Sequence, residues 1–414
     1  MLSNSAVITD PRGSTFAVLD VGSTKIVCLC VRVGRCGTPE ITGVGYRVSE
    51  GISGGSIINK HDASRAILSS IDLAEQLSGQ AIHQIYVSVA GCGVRSHILC
   101  NESLSEARNM SERDIRKIML QSHEKLPEDH VVIHNIPIMY QLDSLSSITD
   151  VDGLYGSHLR ADMHVVTASK LSLVNIENCI RSNTLHVGGY VTESYASGIS
   201  CLSDDEKELG TMIVDIGGNY TSVGVFHKGK FVYAGCIPLG GMHITRDMAY
   251  GLCISMKDAE ILKERHGSAA VVADTNVHSF IEVTGVGGDV QHVLKSDMIE
   301  IIEPRVEEIF ELVRDKMYEQ KGVVSKVVVT GGCSKLPNIA EVAGRVLKKQ
   351  VRCGFPIQVR GAWSRHGRNP SFSSAVGTAL LVARTFFSRR NKPRASLHGG
   401  LEKVLRWIIT KADA

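Results

Sequence analysis

The chain has 414 residues, 43% of them hydrophobic and 5% aromatic, and a formal net charge of +2. That length suggests two to three core-sized units. The near-neutral balance and the scarcity of aromatic rings argue against a nucleic-acid binder, which needs a basic face and stacking platforms.

Residues 1 to 15 read as a polar leader, and the first structured run is Phe16-Ala17-Val18-Leu19-Asp20-Val21-Gly22-Ser23-Thr24-Lys25. Its Val- and Leu-rich part predicts a strand buried on both faces. Asp20 cannot sit unpaired in such a core, and at the strand's end it is placed to hold Mg²⁺, usually through water. Gly22 lets the chain turn and a phosphate approach the backbone. Ser23 and Thr24 add hydroxyls, and Lys25 adds positive charge. A second strand, a glycine-rich turn and a helix from Lys60 to Leu77 are predicted next. The stretch 84–165 departs from this pattern with strands of its own (Ile85–Val89, Val131–Ile138, Met163–Thr167). Its helix over Ser111–His123 opens on a capping box, Ser111 to Asp114, and the whole reads as an inserted subdomain.

The chain then returns to the first unit, where Thr192-Glu193-Ser194 joins a strand to a small-residue helix. Glu193 fits an acid favoured by the helix dipole. The second unit repeats the opening motif 195 positions after Asp20: Met212-Ile213-Val214-Asp215-Ile216-Gly217-Gly218-Asn219-Tyr220-Thr221. Asp215 takes the metal-facing place, Gly217, Gly218 and Asn219 form the turn, and Thr221 supplies a hydroxyl. One such motif reads equally well as an ordinary hairpin turn after a core strand. Two in equivalent places put both turns at one cleft. Within a small lobe, Glu260 and Lys263 stand one helical turn apart, the spacing of an exposed ion pair. Pro304 to Lys321 is strongly helical in pattern. A third turn, Thr330-Gly331-Gly332-Cys333-Ser334, has no acid and leads to a helix starting near Pro337; it fits close packing against an adenosine. A last core helix is predicted over Ser373–Phe387.

Eleven cysteines are scattered without a C-x-x-C pair. Cys28 and Cys30 read as small core residues on one strand face, and neither a zinc site nor a disulfide framework is expected. No run of 18 apolar residues predicts a spanning helix, and the absence of an opening secretory signal points to the cytoplasm. Residues 388–400 form a basic, breaker-rich linker. Beyond it, Leu401, Val404, Leu405, Ile408 and Ile409 fall within one helical arc, with Trp407 at its border. From Ser388 to Ala414 there are seven Lys and Arg against two acids, a net of +5. This predicts an amphipathic helix, 401–414, that lies in an anionic membrane surface or docks on its own domain. The basic linker and Trp407 favour the membrane, at about 1 kcal/mol per basic residue. One short helix binds weakly, so firm tethering needs several linked copies.

The order phosphate turn, phosphate turn, adenosine turn resembles the actin, Hsp70 and sugar-kinase superfamily. Within it, nearly the whole chain resembles the bacterial cell-division family FtsA. The matching residues are Tyr86-Val87-Ser88-Val89-Ala90-Gly91, His134-Asn135-Ile136-Pro137, Val165-Val166-Thr167-Ala168, Ile237-Pro238-Leu239-Gly240-Gly241, Asp258-Ala259-Glu260-Ile261-Leu262-Lys263, Arg265-His266-Gly267, Ile302-Glu303-Pro304-Arg305 and Ser374-Ala375-Val376-Gly377.

The resemblance implies an α/β, actin-like fold of two RNase H-like core domains around a nucleotide cleft. The first core would comprise 1–83, 166–203 and 364–387, with the inserted subdomain at 84–165. The second would comprise 204–242 and 309–363, with its small lobe at 243–308. It implies ATP and Mg as cofactors, Glu193 as the residue orienting the attacking water, Glu260 and Lys263 beside ribose and adenine, and Gly240, Gly241 and Ser334 among the residues that bind the nucleotide. It also implies a tether between the FtsZ ring, through the FtsZ C-terminal peptide on the small lobe, and the cytoplasmic face of the inner membrane. Self-association and recruitment of later division proteins would use the inserted subdomain. Many superfamily members carry a third glycine and then Thr or Ser where this chain has Asn219-Tyr220, and glycine where it has Cys333. Both departures put fast hydrolysis in doubt. Two other readings stand beside this one: a pilus-assembly adaptor of the PilM type, and a sugar-kinase-like phosphotransferase, for which no segment proposes a catalytic base beside a sugar pocket.

Overall fold

The computed structural model describes residues 15–390 except positions 35, 92, 182–184, 272–277, 289, 321 and 362–367. The linker from 391 and the helix expected over 401–414, with Leu401, Val404, Leu405, Trp407, Ile408 and Ile409, lie outside the described residues.

In chain order the elements are β1 (Thr15–Val21), β2 (Lys25–Val33), β3 (Pro39–Val48), β4 (Ile52–Ser53), β5 (Ser56–Ile57), α1 (Lys60–Ser78) and β6 (Gln84–Val89). There follow β7 (Arg95–Asn109), α2 (Glu112–Glu124), β8 (His130–Leu142), β9 (Leu145–Ile148) and β10 (Tyr155–Ser169), then α3 (Lys170–Ile180), β11 (His186–Thr192) and α4 (Glu193–Cys201). The second half runs α5 (Asp204–Leu209), β12 (Thr211–Ile216), β13 (Thr221–His227), β14 (Lys230–Ile237), α6 (Gly241–Gly251), α7 (Met256–His266), β15 (Phe280–Thr284), β16 (Val290–Leu294) and α8 (Lys295–Tyr318). It ends with β17 (Lys326–Thr330), α9 (Ile339–Leu347), β18 (Gln350–Cys353), β19 (Arg360–Gly361) and α10 (Ser373–Arg390).

Two sheets share one topology. The first has the order β11-β6-β1-β2-β3-β19 and the second β14-β13-β12-β17-β18. Each begins with an antiparallel meander, β1-β2-β3 or β12-β13-β14, and then adds parallel strands beside its first strand. The register makes the repeat concrete: Asp20 lies opposite Ser88 across β1 and β6, and Asp215 opposite Thr330 across β12 and β17. The two aspartates therefore occupy equivalent places, as strands buried on both faces demand of a polar residue at their ends. Between the sheets lie α4 and α10. Small side chains such as Ala196, Ala375 and Ala379 let them approach, and Val18 and Leu29 of one sheet join Ile213 and Val328 of the other in one continuous core. The small lobe's α7 and α8 belong to a second core with β12 and β17.

The inserted stretch forms its own antiparallel sheet, β7-β10-β8-β9, with α2 against it over Met110, Ile115, Ile118, Tyr140 and Met163. The capping box is present: the Ser111 N–H donates to the Asp114 carboxylate at 2.9 Å. Asn101 and Asn135, both fully buried, donate to the carbonyls of Ile118 (2.9 Å) and Met119 (2.8 Å), so the polar groups under α2 are paired. This unit also touches the second half. His164 Nδ1 lies 2.8 Å from the Phe231 carbonyl, and the Ala234 N–H donates to Ser96 Oγ at 3.2 Å.

Three elements differ from the expectation. β6, expected among the strands of the inserted stretch, pairs in parallel with β1 and β11 in the first core sheet, where its buried apolar run is covered on both faces. α8 starts at Lys295, well before Pro304, which sits inside it. Proline removes one backbone donor. Met298, Ile299 and Ile302 before it and Val306, Ile309 and Phe310 after it are all buried, so continuous burial outweighs that loss. After Gly331 a single 3₁₀ turn, Gly332–Lys335, precedes α9, and Asn338 in the left-handed region (φ 64°) separates the two. Among the described residues no helix is long and apolar enough to cross a membrane. The ten described cysteines are free, and no group of three metal-ligating side chains is found there.

Candidate functional site

The three turns converge. Between β1 and β2 the Gly22 N–H donates to the Lys25 carbonyl at 3.0 Å, and between β12 and β13 the Gly217 N–H donates to the Tyr220 carbonyl at 2.9 Å. These matching hairpin turns touch each other: a Cβ built on Gly218 would lie 2.6 Å from Thr24 Cγ2 and 3.6 Å from Ser23 Cβ. The start of α6 folds over the second turn, with the N–H groups of Gly241 and Met242 donating to the carbonyls of Gly217 (2.9 Å) and Gly218 (2.8 Å). Cys333 closes the ring, its Sγ 3.5 Å from where a Gly241 Cβ would stand. Gly331 takes φ 92° and runs against Asp215; a Cβ there would come within 2.3 Å of Asp215 Oδ1.

Three carboxyl groups face this junction. Burial raises Asp20 to about 6, with Lys25 opposing the rise. Burial raises Asp215 to about 7, opposed by the Ser197 hydroxyl, which donates to Oδ2 at 2.5 Å, and reinforced by the charge of Asp20. Glu193, first residue of α4, is pushed well above the usual range by burial and then by Asp215 and Asp20, although the Ser222 hydroxyl donates to it at 2.5 Å. Lys25 answers them. Its ammonium donates to the Ser371 carbonyl and lies 4.1 Å from the centre of the Phe372 ring. Burial lowers it to about 8, while Asp20 holds it up. Asp20, Asp215 and Glu193 thus face Lys25, itself pushed further down by the neighbouring charge of Lys335, and the paired aspartates offer hard oxygen atoms to a divalent cation.

On the other side of Gly241 lies a second polar cluster. Lys263, 9% exposed, donates to the Gly241 carbonyl (3.0 Å), Thr245 Oγ1 (2.7 Å) and Glu260 Oε2 (2.7 Å), and Thr245 also bonds Glu260. Glu260 and Lys263 are therefore an anchored pair rather than a loose surface one. Burial pushes the neighbouring Cys333 thiol up to about 11, with Lys263 opposing the rise.

The predicted residues are thereby brought to one region, in differing postures. Asp20, Gly22, Ser23, Thr24, Lys25, Asp215, Gly217 and Gly218 flank the meeting hairpin turns, with Asn219 half-buried between Gly218 and Tyr220. Gly240, Gly241, Glu260, Lys263, Gly332 and Cys333 border the adjoining side, where Gly332 is exposed. Two hydroxyls donate to backbone carbonyls: Thr221 to that of Leu239, just before α6, at 2.8 Å, and Ser334 to that of Gly331 at 2.7 Å. Four contributors escape the sequence reading: Ser197, Ser222, Thr245 and Phe372. Ser197 had a signal, since it lies four residues after Glu193 on the same helical face. The others gain their roles only through tertiary approach.

The donor set suits a polyphosphate with Mg²⁺. Glycine turns offer close backbone approach, and Asp20 and Asp215 offer hard oxygen ligands or anchors for the ion's waters. Gly332, exposed and with only Ser371 Oγ within 3.4 Å of an added Cβ, leaves open the space that a side chain would fill.

The family model described as "Cell division protein FtsA" matches residues 212–377, and that described as "SHS2 domain inserted in FTSA" matches residues 97–167. The cell division protein FtsA of Rhizobium meliloti (strain 1021) is 34% identical over 388 residues, covering 89% of this chain and 87% of that one. That of Pseudomonas aeruginosa PAO1 is 31% identical over 414 residues, covering 96% and 98%. Among solved structures, a PilM-PilN type IV pilus biogenesis complex aligns with TM-score 0.65 at 14% identity, covering 90% of this chain and 99% of that one. MreB5 of Spiroplasma citri bound to ADP aligns with TM-score 0.56 at 12% identity, covering 92% and 100%. The structural likenesses establish an actin-like fold, and the model matched over residues 97–167 establishes its inserted subdomain. The sequence relatives establish the lineage: the chain belongs to the FtsA family of cell-division proteins.

Proposed function

We propose that this protein is an ATP-binding, actin-like adaptor that tethers the FtsZ ring to the cytoplasmic face of the bacterial membrane at the division site and helps recruit later division proteins. One observation carries the nucleotide part: two equivalent hairpin turns and the Gly331-Gly332 turn meet around Asp20, Asp215, Glu193 and Lys25.

ATP would lie between the halves, its phosphates against Gly22–Lys25 and Gly217–Asn219. Its Mg²⁺ would be held through water by Asp20 and Asp215. Ribose and adenine would lie near Gly240, Gly241, Glu260, Lys263 and the Gly331–Ser334 turn. Mg²⁺, when bound, neutralises phosphate charge. The chain's own residues do the rest: Lys25 supplies a fixed cation, the glycine turns supply donors, and Glu193 would orient water. Glu193 is already engaged by Ser222, and the second turn carries Asn219-Tyr220, so hydrolysis is slow and the nucleotide serves mainly to hold one arrangement of the halves. The FtsZ C-terminal peptide would dock on the small lobe, 243–308, and self-association would use the inserted sheet. That association makes the weak tail effective, because linked copies rebind as intramolecular partners.

The test is cosedimentation of the full chain with anionic vesicles, with and without ATP and FtsZ. Wild type carries FtsZ into the pellet. Ile408→Glu, which places a charge on the apolar face of the tail, stays in the supernatant with ATP binding intact. An Ile408→Glu protein that still pellets, or one that loses ATP binding, contradicts the tether.

A further inference from the structure

Tyr220 is the residue that most breaks the pattern of the second turn, and it is seated in the other half of the molecule. Its ring lies in a slot walled by Gly54, Gly55 and Gly91. A Cβ built on Gly54 would stand 2.9 Å from the Tyr220 hydroxyl oxygen, and Cβ atoms on Gly55 and Gly91 would each stand 3.4 Å from the ring. All three glycines have positive φ (58°, 69° and 102°). The slot exists because these turns take a conformation that favours residues without side chains.

The same place is the neck of the inserted sheet. Ala90 and Gly91 lie on the connection that leads into β7, while Ser169 ends β10 and Ser172 lies in the first turn of α3, where the chain leaves the inserted sheet. Both connections line a cavity of about 170 Å³, and Tyr220 lines it too. Among the described residues no charged side chain borders that cavity. It gives the ring room to shift without burying or stranding a charge.

The backbone of Tyr220 is part of the candidate phosphate turn, since its carbonyl accepts the Gly217 N–H at 2.9 Å. Gly218 of that turn presses on Thr24 of the opposing turn. On the binding mode proposed above, a polyphosphate seated between the two turns would push Gly218 away from Thr24. Such a displacement would pass through the second turn to the Tyr220 ring, and from the ring to both sides of the neck.

We propose that Tyr220 is a positioning residue that couples occupancy of the second phosphate turn to the neck of the inserted subdomain. This rests on the nucleotide reading above and adds the route by which nucleotide would change the surface used for self-association. Energetic coupling needs an element that both sites bias. Here the ring in its slot, with the cavity beside it, is that element.

The test is amide hydrogen exchange on the full chain, with and without ATP–Mg²⁺, following peptides that carry Ala90–Gly91 and Ser169–Ser172. In wild type and Tyr220→Phe, ATP–Mg²⁺ changes exchange at both connections by about three-fold or more. In Tyr220→Ala, held at an ATP–Mg²⁺ concentration that calorimetry shows to saturate that variant, the change disappears. A Tyr220→Ala protein that keeps the nucleotide-dependent change overturns the coupling. So does a wild-type neck that does not respond to bound nucleotide, a result independent of whether the alanine variant folds. A wild type that binds no ATP overturns the nucleotide reading, and the coupling with it.

Discussion

Gly331→Ala should destabilise the protein where Gly332→Ala does not. Gly331 has φ 92° and ψ 174°, a region open essentially to glycine and costing another residue about 1–3 kcal/mol. An added Cβ would sit 2.3 Å from Asp215 Oδ1, 2.5 Å from the Ile216 carbonyl oxygen and 2.7 Å from the Ile216 nitrogen. The neighbours have little freedom to yield. Ser197 holds Asp215, and Ile216 is paired with Thr221 across the ladder to β13. Overpacking of that kind adds about 1–3 kcal/mol. The two effects sum to about 2–6 kcal/mol, against a typical domain stability of about 5–15 kcal/mol. Gly332 is exposed, and the nearest atom to its added Cβ is Ser371 Oγ at 3.4 Å, so its alanine variant should stay within about 0.5 kcal/mol. Urea unfolding followed by circular dichroism, without nucleotide, measures both. Equal costs at the two positions, or a Gly331→Ala midpoint like wild type, would refute the placement of the third turn against Asp215.

Glu206 is drawn from its ordinary 4.5 down to about 2, first by the Arg352 hydrogen bonds and further by Lys326 and the Ser203 N–H. A depressed carboxyl contributes stability above its unfolded value and loses it as pH falls through the folded one. Glu206→Gln should therefore cost about 1–3 kcal/mol at pH 7 after solvent screening. The gap should narrow below pH 4.5 and close near pH 2. Urea midpoints at neutral and acid pH decide, and a gap independent of pH contradicts the ion-pair account. For the nucleotide, phosphate release should run well under the roughly 1–1,000 per second of committed enzymes. Turnover inside that range that vanishes in Glu193→Ala would contradict a mainly structural role.

Much of this was legible because it was local or periodic. The apolar runs that end in Asp20 and Asp215 announced two doubly buried strands, and their spacing announced a repeated unit. The capping box at Ser111 marked α2 within a residue. Other features were hidden because tertiary packing made them. Pro304 looked like a helix start, yet burial on both sides carried α8 through it. Thr221 and Ser334, expected beside the nucleotide, donate to the carbonyls of Leu239 and Gly331, partners that only the folded chain reveals. The partners of Lys25, Ser371 and Phe372, come from a segment 346 and more positions away, and no spacing rule reaches that far. Tyr220 was visible as a departure from pattern, but its glycine slot draws on two separate turns.

Calorimetric titration of ATP–Mg²⁺ into the full chain, beside Gly332→Trp, tests the central claim most directly. Gly332 is exposed at the mouth of the adenosine side, so a tryptophan there should leave folding intact and fill the space a base would use. The account predicts one ATP per chain for wild type and no measurable binding for a folded Gly332→Trp. Wild type without binding, or Gly332→Trp with unchanged affinity, would contradict it.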